Sequence, residues 1–154
     1  MKNVTKLLVA FIVFCMLAFT CANQNNVPKI VKEAFAKKFP NVKEAHWDKE
    51  SETEWEAEFK MNKVEYSANF SNEGVWLETE HEIKTKDLPK NIIDVLKSQF
   101  LEYDIEDVEI SETSKGVFYE FEIEKDETKM EVVLDMDGKI LKKALIEENE
   151  EEND

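Results

Sequence analysis

The sequence predicts an α+β fold made of a helix followed by a four-stranded antiparallel meander, present twice. The two copies join into one eight-stranded sheet with both helices on one face. Three observations carry this. "VPKIVKEAFAKKF" (27–39) and "LPKNIIDVLKSQF" (88–100) align without gaps at an offset of 61. Farther on, "EWEAEF" (54–59) meets "FYEFEI" (118–123), and Gly74 meets Gly138, at an offset of 64. After each helical segment the apolar period changes from about 3.6 to 2. A repeat is sought before any other fold signal, and two copies are too few for a solenoid.

Each element follows in order. Val31, Ala34, Phe35 and Phe39 recur at helical spacing, as do Ile92, Val95, Leu96 and Phe100. Pro28 and Pro89 stand where a first helical turn tolerates proline, with Asn26 and Asp87 as candidate caps. Strands are expected at 42–48, 53–60, 63–70 and 75–83, then at 105–112, 117–125, 128–135 and 139–146. "KMNK" and "KDET" read as tight hairpins, and "SNEG" and "DMDG" as turns whose glycine takes positive φ. Short connections make sequential strands antiparallel neighbours.

Alternation assigns the faces. Trp55, Ala57 and Phe59, with Val64, Tyr66, Ala68 and Phe70, point under the helices. So do Val117, Tyr119, Phe121 and Ile123, then Met130, Val132 and Leu134. The opposite face carries Glu54, Glu56, Glu58, Glu65, Ser67 and Asn69, then Glu120, Glu122, Glu124, Glu131 and Asp135. The plain reading of that face is a solvated one, ordinary for an antiparallel sheet. Neighbouring acids repel there, which leaves room for a cation or a basic partner. Trp47, Trp76 and Phe118 fall off the core register. Trp47 reads as closing the core; Trp76 and Phe118 are either cover for a sheet end or exposed anchors for recognition.

The ends of the chain suggest export. Lys2 and Lys6 precede a thirteen-residue apolar run, "LLVAFIVFCMLAF", which suits a signal peptide over 1–22. Two exits fit: cleavage after Ala22, or a bacterial lipobox ending in a lipidated Cys21. Residues 23–26 read as a tether, 27–86 as the first repeat and 87–146 as the second. The tail 147–154 reads as an acidic disordered run. These expectations place the protein in the periplasm, or anchored in the outer membrane, of a Gram-negative envelope. The membrane enters only through a lipid anchor.

Composition narrows the chemistry. The 154 residues carry 35 acids against 20 bases, a net charge of −15, and every base is a lysine. Such a chain is repelled by nucleic acid, and a neutral or basic partner suits it better. Both cysteines, Cys15 and Cys21, lie in the leader, so the mature domain has no disulfide and no thiolate. His46 and His81 lack zinc-motif spacing and read as surface or edge histidines. "DMDG" reads as a hairpin turn rather than a calcium loop. No nucleophile elbow and no phosphate-cradling glycine loop is present. No catalytic residue, cofactor or metal ligand is expected.

The Pro-led helix ending "KFP", the "WEAEF" strand, the second "LPK", "YEFEI" and "DMDGKIL" together resemble the PepSY-like family of exported Bacteroidetes proteins, over roughly 27–146. That family is similar in architecture to the β-lactamase inhibitor protein and, more distantly, to PepSY domains in propeptides of thermolysin-like metallopeptidases. The resemblance implies a non-enzymatic binding module that engages a protein or peptide through its exposed sheet face. An inhibitor or chaperone of an envelope hydrolase is the alternative, and a cation-responsive sensor a second one. The β-lactamase inhibitor grips its target with a concave sheet face; this chain differs in its glutamate-rich face and in lacking disulfides there. Residues expected to meet a partner are Trp76, Phe118, Glu56, Glu58, Glu120 and Glu122.

Overall fold

The computed structural model describes residues 26–146. The expected signal peptide with the candidate lipidation at Cys21, most of the expected tether and the acidic tail lie outside the described residues. The order is α1 (Lys29–Lys38), β1 (His46–Asp48), β2 (Glu54–Met61), β3 (Val64–Ser71) and β4 (Trp76–Glu82). A 3-10 turn (Thr85–Asp87) follows, then α2 (Lys90–Gln99), β5 (Asp104–Thr113), β6 (Gly116–Lys125), β7 (Thr128–Asp135) and β8 (Ile140–Leu145). The strands form one eight-stranded antiparallel sheet in sequence order. β1 is shorter than the alternation predicts. Residues 42–45 run as irregular backbone, with Val42 and Ala45 packed on the core.

The helices start differently from the expectation. Pro28 and Pro89 are themselves the N-cap residues, and no side chain caps either helix. Asn26 and Asp87 therefore do not cap. The proline carbonyls instead accept the first amides, Val31 and Lys32 in α1, Ile92 and Ile93 in α2. Proline serves well here because its fixed φ suits the entry and its missing N–H is one a helix start leaves unpaired anyway.

The turns match their sequence signals. Asn62 and Lys63 both take positive φ, as do Asp126 and Glu127. That is the two-residue hairpin geometry whose twist suits the flanking strands. Gly74 (φ +77°) and Gly138 (φ +85°) close the β3–β4 and β7–β8 turns. At Gly74 a Cβ would sit 2.8 Å from the Ile30 carbonyl oxygen, so the turn packs directly under α1.

Two cores lie under the two helices, on one side of the sheet. The first is aromatic. Phe35 of α1 sits 5.2–5.3 Å, ring to ring, from Phe39, Trp47 and Phe59, with Phe70 at 6.1 Å. The second is mostly aliphatic, with Ile92 and Leu96 of α2 against Val108, Phe121, Ile123, Val132 and Leu134. Each fully buried side chain of this size contributes about 1.5–3 kcal/mol. The halves join through the β4–β5 pairing, the Tyr66–His81 ring contact at 4.7 Å and a Lys38–Glu112 ion pair at 3.4 Å.

Candidate functional site

Among the described residues no helix covers the other side of the sheet, because both cores use the same face of the register. Strand pairing lines up the side chains there in rows. One row crosses seven strands: His46, Glu58, Ser67, Glu80, Ser111, Phe118 and Asp135. A second runs Asp48, Glu56, Asn69, Glu78 and Thr113. A third runs Glu82, Glu109, Glu120, Val133 and Lys142.

The centre of this face is not solvated, which corrects the sequence reading. Glu120 is 1% exposed, Glu80 and Glu131 are 4%, and Glu56 and Glu78 are also buried. Asn69, Ser111 and Val133 share their burial. Both carboxyl oxygens of Glu120 lack a hydrogen-bond partner, as do Glu80 Oε1, Glu131 Oε1, Asn69 Oδ1 and Ser111 Oγ.

Desolvation disfavours the charged form of a buried acid, and on this face it raises Glu56, Glu78, Glu80, Glu109 and Glu120. Burial, followed by the charges of Glu78 and Glu131, pushes Glu120 up to about 7. Burial and the charges of Asp107 and Glu120 push Glu109 to about 7. Burial with Glu50, Glu58 and Asp48 nearby does the same to Glu56. Glu80 is pushed up to about 10, first by burial and then by Glu78, Glu109 and Glu120. Glu78 is raised by burial and shares a hydrogen bond with Glu80. Bases enter from the β7–β8 side: Lys142 pairs with buried Glu131 at 2.5 Å and Lys129 with Glu122 at 3.0 Å.

The six residues singled out from sequence separate into three groups. Phe118, Glu58 and Glu122 stand half-buried on the polar face. Glu56 and Glu120 lie on it but are buried in its floor. Trp76 is on the other face: it pairs with Phe70, packs on the first core and donates from Nε1 to Thr79 Oγ1 at 2.9 Å. Lys38 Nζ lies over its ring, 3.3 Å from the centroid. A one-residue irregularity in the β3–β4 pairing moves Trp76 to the core side. Trp47 closes the first core.

The comparisons with known proteins agree on the fold. A family described as "Putative beta-lactamase-inhibitor-like, PepSY-like" matches residues 53–142, more than half of the chain.

The chain belongs to the PepSY-like family.

Solved structures carry the same fold. A DUF2874 family protein from Bacteroides ovatus is 20% identical, with a TM-score of 0.70, covering 77% of this chain and 86% of that one. A BLIP-like protein from Bacteroides fragilis is 19% identical, with a TM-score of 0.70, covering 80% and 90%. A structure from Bacteroides eggerthii described as "putative periplasmic proteins" is 16% identical, with a TM-score of 0.69, covering 78% and 89%. At these identities the likeness concerns the fold. No curated protein matches the sequence. Among the described residues no helix is long and apolar enough to cross a membrane.

Two features of this PepSY-like sheet were not singled out from sequence. One is the set Glu78, Glu80 and Glu109, which completes the acid floor. "LETEHE" (77–82) is a third alternating acidic stripe, and its position between the two strands already noticed was the available signal. The other is the grouping of His46, Asp48 and Glu58, whose ligand atoms all lie within 4.8 Å of one another. His46 and Asp48 alternate onto one face and Glu58 is the cross-strand partner of His46; sequence spacing alone does not show that pairing.

Proposed function

We propose that this PepSY-like protein is a non-catalytic binding module of the cell envelope, and that it engages a protein or peptide through the polar sheet face. The observation that carries the reading is the uncovered face itself: eight strands wide, with its acids closed into a floor and Phe118 half-exposed among them. Glu58 and Glu122, the latter held by Lys129, are the rim carboxylates that would meet a basic partner. Glu56 and Glu120 act from beneath by shaping the floor. The narrower reading, an inhibitor or chaperone of an envelope hydrolase, takes support from the BLIP-like neighbour.

A photo-crosslinking amino acid at position 118 tests the reading, with one at exposed Lys97 of α2 as control. The expected result in native envelopes is a discrete protein or peptide adduct from position 118 and none from 97. Glu58→Lys with Glu122→Lys should weaken that adduct. Equal adducts from both positions, or none from 118, would overturn the proposal. Loss of a hydrolytic activity in the captured complex would favour the inhibitor reading.

A further inference from the structure

We propose a metal site at the β1–β2 edge, formed by His46, Asp48 and Glu58, that takes a divalent cation of the zinc class. β1 has only three residues, and alternation places His46 and Asp48 on its polar side. Register then sets Glu58 opposite His46. His46 Nε2 lies 3.1 Å from Asp48 Oδ2, and one donor atom from each of the three side chains falls within a 4.8 Å span. Around a tetrahedral zinc with bonds of roughly 2.0–2.1 Å, ligand atoms stand about 3.3 Å apart. The His46–Asp48 pair already has that separation. Glu58 lies within the same 4.8 Å span, and its three side-chain torsions give its carboxylate freedom to approach.

The charge also fits. A neutral imidazole and two carboxylates cancel a dication. An imidazole ligand selects zinc-like cations over magnesium and calcium, which prefer all-oxygen shells. His46 and Glu58 also border an open cleft of about 970 Å³, walled in part by Glu44, Tyr66 and Ser67. Three protein donors leave a fourth coordination position open for water.

The test uses the purified protein, zinc chloride and magnesium chloride in a non-coordinating buffer near neutral pH. The chain has two histidines, and His81 lies on the helix side as an internal control. Expected are one saturable zinc site by calorimetry, a shift of the His46 imidazole NMR signals without one at His81, and no His46 shift with magnesium. His46→Ala, Asp48→Asn and Glu58→Gln should each weaken binding at least about tenfold. Unchanged backbone spectra in these variants would separate loss of ligand from loss of fold. Cysteines outside the described residues are common to all variants and cancel in the comparison. Zinc binding that leaves the His46 signals unmoved, equal affinity in Asp48→Asn, or no saturable heat would each overturn the proposal.

Discussion

Replacing Glu120 by glutamine should make the protein more stable at alkaline pH and leave it no better at acidic pH. Glu120 is 1% exposed and neither carboxyl oxygen has a partner. It faces Glu109 from β5, Glu78 from β4, Glu131 and Val133 from β7, and Lys142 from β8, so acids outnumber the single base around it. Its folded pKa is raised from 4.5 to about 7. Because the native state holds the proton more tightly than the unfolded chain, native stability is intact below pH 4.5 and falls as pH rises through about 7. At about 1.4 kcal/mol per pH unit, the ionised side chain costs up to about 3 kcal/mol at pH 8. Glutamine removes that cost but keeps a buried amide without a partner, which takes back roughly 1 kcal/mol at every pH. The expected net gain is therefore about 2 kcal/mol at pH 8, turning to a loss of about 1 kcal/mol near pH 4.5. Urea unfolding of both proteins at the two pH values measures it. A Glu120→Gln effect that does not change with pH, or a wild type that gains stability from pH 5 to pH 8, would refute the reasoning.

Two further substitutions probe the supports of the sheet. Gly74→Ala places a Cβ 2.8 Å from the Ile30 carbonyl at a φ of +77°; a loss of about 2 kcal/mol or more is expected from left-handed strain and the clash together, read as a lower urea midpoint. Lys142→Met removes the 2.5 Å ion-pair partner of Glu131, which is 4% exposed. That should cost about 1–3 kcal/mol at neutral pH, given that Lys142 is itself a third exposed, and a second change, Glu131→Gln, should restore most of the loss.

The fold was legible because its signals are local and mutually consistent. Pro28 and Pro89 lead the helices, Gly74 and Gly138 close the turns, and Asn62–Lys63 and Asp126–Glu127 make the hairpins. Alternation also identified which side chains go under the helices. It could not tell that the other side is closed in the middle. An alternating strand looks the same whether its polar half meets water or the polar halves of five neighbours. Glu54 and Glu120 have the same local pattern, yet Glu120 sits at the centre of a wide sheet and is shut off from water. Trp76 was misplaced for a different reason: the irregular pairing between Asn69 and Phe70 shifts the face of everything that precedes Glu78 in β4. The grouping of His46 with Glu58 depends on a cross-strand register that no single stretch of sequence displays.

The floor of the polar face holds Glu80, Glu109 and Glu120 with raised pKa values, beside a Glu131 that is paired with Lys142. Carbon-13 NMR of the glutamate side-chain carboxyls, followed against pH, tests this most directly. Glu109 and Glu120 should still carry their protons at pH 6 and lose them around pH 7, and Glu80 should remain protonated beyond that. If all three titrate near the ordinary glutamate value of about 4.3, the face is open to water and the account is wrong.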